Sequence, residues 1–326
     1  MTQAAEPPPP YVEEALALEA FGARIPAAIT RPRSGAPRSA IVLIPGSLFL
    51  DVDGNMPAFG AHPHAYADLA RQLAERGHVV LRFAKLGPGT GSEVIDEELA
   101  RRHRHFFTRV EVAGVALDTL LARVPVATAA AVVAAGHSEG AVVATLLAAR
   151  YDRIEALVTL SGPSVGLFDI MREQLPLPPD SPPEAYAAFD AAVAAARAGE
   201  PLPEGTGSDP TTRSFAWMGE ESLPFVVEID GVDPAAELAK LQKPVLIVQG
   251  GADASVRPWH ADALAAAHVT GPTSVVRLPG LTHFYKTLDE GMAPGDPAAF
   301  MLDGESDTAV AAAIDDWVGD VHGGER

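Results

Sequence analysis

"VVAAGHSEGAVVATLL", residues 132–147, decides how this chain is read. One apolar run ends at Gly136 and a second begins after Gly140, with Ser138 between them and His137 and Glu139 beside it. The first run has the small and β-branched residues of a buried strand, and the second has the length and spacing of a helix. A serine at such a strand-to-helix turn stands clear of the sheet, with the next backbone N–H facing the same space. The turn strains the serine and crowds its neighbours, and glycines two residues to either side relieve that crowding. Ser138 is therefore the candidate nucleophile, and the backbone N–H of Glu139 a candidate oxyanion donor. The Glu139 side chain is not needed for that role, and a nearby arginine is its expected partner.

A second stretch, "GPSVG" (162–166), has the same spacing around Ser164. Topology separates the two. Buried strands are predicted near 41–45 and 79–84 before Ser138, and one more lies between it and "PVLIVQG" (244–250). That places Ser138 centrally, where connections diverge and pockets form at the carboxyl ends of strands. Ser164 falls one strand later and is expected only to terminate it.

The flanking sequence supplies the rest of an α/β pattern. Two short strands joined at Phe21-Gly22 are predicted within 11–32, and further strands at 39–46, 78–84, 130–136, 154–162, 244–250 and 273–280. Helical patterns fall at 64–77, 110–124, 141–151, 259–268 and 307–321. Continuous apolar strands alternating with amphipathic helices predict a mostly parallel central sheet covered on both faces. Residues 163–240 break the rhythm with an alanine-rich helical piece between proline- and glycine-rich ends. They read as a mainly helical cap inserted between two core halves, 1–162 and 241–326.

A serine needs a base to take its proton and an acid to orient that base. "VLIVQGGADASV" (245–256) puts Asp253 in a glycine-rich turn directly after a buried strand. "VVRLPGLTHFYK" (275–286) puts His283 in the loop after the next strand. Both fall at the same edge of a parallel sheet as Ser138, so the three side chains can converge. His137, inside the turn itself, reads as a packing and hydrogen-bonding residue. The second oxyanion donor is expected from the loop after the strand at 41–45, at Ser47 or Leu48.

Composition narrows the alternatives. Of 326 residues, 48% are hydrophobic, enough for a large core, and the formal net charge of −19 argues against nucleic acid or an anionic membrane as partner. There is no cysteine, which removes thiol nucleophiles and cysteine-ligated metals. His62 with His64 and His103 with His105 form H-x-H pairs, but no carboxylate spacing completes a metal site. "GPGTGS" (87–92) lacks the following Lys-Ser/Thr of a phosphate loop. "RRHRHFFTR" (101–109) reads as a solvated helix face or an internal salt-bridge partner. No cofactor is implied. "MTQAAEPPPPYVEE" has no basic region followed by an apolar run, so a cytoplasmic location is expected.

Taken together these stretches resemble the α/β-hydrolase superfamily, and within it bacterial ester hydrolases whose oxyanion loop reads P-G-S-G-P-x-D-R-D-G-N. The corresponding loop here is "PGSLFLDVDGN" (45–55), and the likeness continues through "LARQLAERGHVVLRF", "AAGHSEGA", "REQL" (172–175), "DPAAELAKLQKPVLIVQGGAD" (233–253) and "LPGLTHF" (278–284). The resemblance implies an α/β-hydrolase fold with Ser138 as nucleophile, Asp253 as acid and His283 as base. Leu48 and Phe49 replace Gly-Pro, Val52 replaces an arginine, and Ala84 and Leu86 replace Asp and Arg of "RYDKRGxGxS". A charged network at the pocket mouth is thus expected to be apolar here, with Leu48, Phe49 and His137 lining a narrower or greasier pocket. The expected activity is cofactor-independent hydrolysis of a small-molecule carboxylic ester. The same parts serve a thioesterase, lactonase or acyltransferase. A protein of another class, binding a ligand on this fold without catalysis, would typically have lost a triad member.

Overall fold

The computed structural model describes residues 8–87, 89–124, 131–178, 180–219, 222–294 and 296–323. Among the described residues the sheet has nine strands: β1 (Tyr11–Ala20), β2 (Ala23–Pro32), β3 (Ala40–Ile44), β4 (Val79–Phe83), β5 (Glu93–Val94), β6 (Val132–His137), β7 (Ala156–Leu160), β8 (Val245–Gly250) and β9 (Thr273–Leu278). Their order is β1-β2-β4-β3-β6-β7-β8-β9, with β5 on β2. β2 pairs antiparallel with β1, β4 and β5, and the remaining pairings, β4-β3-β6-β7-β8-β9, are all parallel.

Alternation within the apolar runs explains why both faces are covered. Ala40, Val42 and Ile44 of β3, with Val132 and Ala134 of β6, pack into one core cluster. Ile41 and Leu43 of β3, with Val133 and Ala135 of β6, pack into the other. Successive side chains of a strand leave opposite faces, so a strand apolar at every position must be buried twice. The helices that bury these faces include α1 (Ala65–Glu75), α3 (Phe107–Arg123), α4 (Glu139–Arg150), α10 (Trp259–Ala267) and α11 (Ala309–Gly323).

The first two strands are longer than the sequence suggested, with ten residues each, because they pair along their whole length around the Phe21-Gly22 turn. β5 and the six-residue helix α2 (Glu97–Arg102) escaped the sequence reading. Elements so short show no periodicity, and α2 is set by its cap, where Asp96 accepts from the Leu99 N–H at 2.9 Å.

Between β7 and β8 the chain forms helices α5 (Leu167–Glu173), α6 (Ala187–Ala198), α7 (Arg213–Met218), α8 (Leu223–Asp230) and α9 (Pro234–Ala239). Phe168, Phe189, Phe215 and Val226 from the first four make a small apolar cluster of their own. α9 packs instead on α4 and α10, and its Leu238 joins the main core.

The connection from β3 runs one way to β4, and the chain that leaves β4 then crosses back past β3 to β6 on its other side. The carboxyl ends of β3 and β6 therefore flank the point where the topology reverses, the usual position of a ligand crevice in such sheets. Pro45–Phe49 leave one of these ends and Ser138 the other.

Candidate active site

Ser138 sits at φ 55°, ψ −126° between β6 and α4, a backbone region that L-residues rarely occupy. Its N–H donates to the Leu160 carbonyl at 2.8 Å and its carbonyl accepts from Ala141 at 2.9 Å, which holds the strained turn in place. The two glycines are sterically required. A Cβ on Gly136 would collide with the Gly140 carbonyl, and one on Gly140 with the Ile44 carbonyl of the adjacent strand.

Asp253 lies in the turn after β8 and is 3% exposed. Its Oδ1 accepts from the Ser255 and Val256 N–H groups, each at 2.9 Å. Its Oδ2 accepts from Gln249 Nε2 at 3.2 Å and from His283 Nδ1 at 2.8 Å. Burial would raise the carboxyl, but the His283 ring, the Val256 N–H and Ser161 together outweigh it and hold Asp253 below its ordinary value. An ionised Asp253 can only accept, so Nδ1 of His283 carries a proton, and in the neutral ring the lone pair then sits on Nε2. His283 occupies a tight turn in which Thr282 N–H donates to the Lys286 carbonyl at 2.9 Å, with Phe284 and Phe300 against its ring.

Ser138 and His283 line one cavity of about 1110 Å³. Among the described residues Ser138 Oγ makes no hydrogen bond, to His283 or otherwise. Such contacts commonly tighten only once substrate is present.

His137 is 2% exposed and joins three segments. The Gly46 N–H donates to Tyr66 Oη at 2.8 Å, Tyr66 Oη lies 3.0 Å from His137 Nδ1, and His137 Nε2 lies 2.9 Å from the His283 carbonyl. A carbonyl can only accept, so Nε2 is the protonated nitrogen and Nδ1 receives the Tyr66 hydroxyl proton. Burial, with a smaller contribution from the neighbouring His283, lowers the ring to a pKa of about 3, so it stays neutral. These bonds fix its ring, which also lines the cavity beside Ser138.

The loop after β3 carries Ser47 and Leu48 beside the turn of Ser138. Leu48 adopts φ 66°, and no hydrogen bond engages its N–H among the described residues. Leu48 and Phe49 both line the cavity. Ser47 uses its hydroxyl to donate to Glu139 Oε2 at 3.1 Å. Lys85 Nζ donates to Glu139 Oε1 at 3.0 Å and to the Gly46 carbonyl at 2.6 Å, and Arg109 also pairs with Glu139. The charged side chain at the elbow thus has its arginine, and that arginine comes from the basic stretch 101–109.

The cavity is therefore not purely greasy. Ala84 is buried and Leu86 exposed, as apolar replacements, but Lys85 between them brings a buried amine into the wall, held well below the ordinary lysine value by burial and by the neighbouring Arg109. Lys85, Arg109, Tyr66 and Gln249 were not singled out from the sequence. The lysine left a signal as a charge just after the "LRF" of its strand, and Arg109 as the last residue of the basic stretch 101–109.

Ser164 has a different environment. Its Oγ lies 2.8 Å from His260 Nδ1, and His260 Nε2 lies 3.3 Å from Glu173. Ser164 is 4% and His260 0% exposed, and neither is among the described residues that line the cavity. This buried chain ties the end of β7 to α5 and α10. Among the described residues no group of three or more His, Asp or Glu could hold a metal ion, and no helix is long and apolar enough to cross a membrane.

Residues 41–290 match the alpha/beta hydrolase family. The chain belongs to that family. Its fold is the alpha/beta hydrolase fold, with solved structures of similar shape at low identity. Est1E from Butyrivibrio proteoclasticus, solved with ferulic acid, is 20% identical over 94% of this chain and 98% of that one, with a TM-score of 0.57. An esterase domain from a Rhodothermus marinus protein is 17% identical over 95% and 97%, with a TM-score of 0.53. P91, a dienelactone hydrolase-like promiscuous phosphotriesterase from metagenomic libraries, is 15% identical over 95% and 98%, with a TM-score of 0.51. No curated protein matches the sequence significantly.

Proposed function

We propose that this alpha/beta hydrolase is a serine hydrolase of carboxylic esters, working through Ser138, His283 and Asp253. The observation that carries the reading is the 2.8 Å contact between Asp253 and His283 Nδ1, which leaves Nε2 basic in the cavity that Ser138 also lines. The esterases among proteins of similar fold support it.

In the proposed cycle Nε2 of His283 takes the hydroxyl proton as Ser138 Oγ attacks the ester carbonyl. Asp253 stabilises the imidazolium without itself taking the proton. The tetrahedral oxyanion is bound by the N–H of Glu139 and an N–H of the Ser47–Leu48 loop. His283 then gives its proton to the departing alcohol, leaving an acyl-Ser138 intermediate. Water, deprotonated by the same nitrogen, attacks that intermediate and restores the serine. Of the expected cap, 163–240, helices α5 to α8 cover the site while α9 belongs to the core, and α5 and α8 supply Ile170, Met171, Phe225 and Val226 to the cavity wall.

Labelling with a fluorophosphonate probe, mapped by mass spectrometry, tests the proposal. The adduct is expected on Ser138 and absent from Ser138→Ala, which should also lose about 10⁶-fold in kcat. A folded wild-type protein that takes no label and cleaves no ester would overturn it.

A further inference from the structure

We infer that the cavity contains a carboxylate subsite built on Arg109, so that the preferred ester carries an ionised carboxylate at a distance from its scissile carbonyl. The inference rests on the hydrolase reading for its ester, but the subsite itself is argued from the charges in the wall.

Arg109 projects from α3 into the cavity with 28% of its side chain exposed. Its guanidinium face lies over the Phe225 ring of α8, 4.4 Å from the centroid, and Nη1 pairs with Glu139. Nε and Nη2 donate no hydrogen bond among the described residues, so one edge of the fork is left over. Glu139 cannot satisfy it further, because the same carboxylate already takes Lys85 and the Ser47 hydroxyl. It is the one acidic side chain among the described residues lining the cavity.

Two basic side chains, Lys85 and Arg109, thus share one carboxylate within a largely apolar wall. A second positive charge beside one carboxylate in such surroundings is unfavourable: burial lowers Arg109 to a pKa of about 9, and burial together with Arg109 holds Lys85 well below the ordinary lysine value. A ligand carboxylate would restore neutrality, and an arginine edge binds one with two parallel N–H···O contacts. A second polar group awaits a partner on the same wall. His103 Nδ1 is buried without a hydrogen bond, and its ring packs on Phe21 with centroids 4.7 Å apart. Phe83, Val112 and Ile229 also line the cavity and suit an aliphatic spacer. The protein carries a formal net charge of −19, so the local excess of cations runs against its overall field.

The test uses Ser138→Ala protein, which forms no oxyanion, so that ligand preference reports on the subsite alone. Calorimetry would compare monomethyl with dimethyl esters of succinate, adipate and suberate. The monoesters are expected to bind at least tenfold more tightly at one or more chain lengths. Arg109→Met in the same background should abolish the preference, and Arg109→Lys, which keeps the charge, should retain part of it. Diesters binding as tightly as monoesters at every length, absence of binding by either set, or a preference that survives Arg109→Met would overturn the inference. Turnover by wild type separates the two readings. Equal hydrolysis of both ester sets removes the subsite and leaves the hydrolase. Tighter monoester binding without hydrolysis or fluorophosphonate labelling leaves the subsite and removes the hydrolase.

Discussion

Glu139 and Ser47 are joined by a 3.1 Å hydrogen bond that ties the loop after β3 to the first residue of α4. Lys85 tightens the same junction by donating to both Glu139 and the Gly46 carbonyl. The two segments proposed to bind the oxyanion are therefore fixed to each other through side chains as well as through the sheet. A donor pair fixed in advance needs no reorganisation as charge develops.

Removing that carboxylate should be expensive in two ways. Glu139→Gln leaves Lys85, 7% exposed, without its counter-charge, and loss of one partner of a buried pair costs about 3–5 kcal/mol. Chemical denaturation should show a loss of that order. In the folded fraction kcat should fall more than KM rises, because the clamp acts on the transition state. Unchanged stability together with unchanged kcat would show that the network does neither.

Asp253→Asn keeps the shape of the acid but offers an amide N–H to His283 Nδ1. The imidazole would then favour the tautomer with its proton on Nε2, where it cannot serve as base. By analogy with other triads kcat should drop about 10⁴-fold with little change in KM. Steady-state kinetics on a chromogenic ester would check this, and a drop of less than tenfold would argue that another group orients His283.

Ser164→Ala should leave fluorophosphonate labelling and kcat within a few-fold of wild type. Its hydroxyl is bound to His260 in a buried tie outside the cavity. The expected loss is one hydrogen bond, about 1 kcal/mol by thermal or chemical unfolding. Disappearance of the label would transfer the nucleophile role to Ser164.

Acid should destabilise the fold through its buried histidines. Burial lowers His137 to a pKa of about 3 from 6.5, and lowers His78 and His260 as well. Below pH 6.5 the unfolded chain therefore binds protons that the folded protein refuses. The stability from these groups is complete above that pH and is lost as pH falls, for His137 down to about 3. Each such histidine contributes a slope of about 1.4 kcal/mol per pH unit in its window. Denaturation midpoints between pH 7 and 4 would measure it. His137→Gln, which can still accept from Tyr66 and donate to the His283 carbonyl, should flatten the slope by one proton.

The sequence alone determined the architecture and the three residues of the proposed triad. Strands β3, β6 and β8 are buried at every position, and His137 and Gln249 near the carboxyl ends of β6 and β8 are their only polar side chains, a pattern written into neighbouring residues and dictated by the two-residue period of a strand. The elbow was equally legible, because its steric demand falls on Gly136 and Gly140, two residues from Ser138. Asp253 and His283 could be placed because each follows its strand directly, and parallel strands bring such loops to one edge.

Tertiary structure decided what those residues are surrounded by. Lys85 and Glu139 are 54 positions apart, and Tyr66 and His137 are 71 apart. No local pattern links such pairs, because the contact depends on which face of the sheet each helix covers and how loops from separate strands meet. The same holds for the excess charge at Arg109. Its basic neighbourhood was plain in the sequence, but its value in the cavity wall depends on how many partners a single carboxylate must serve. That is set by packing, where burial makes every unpaired charge count.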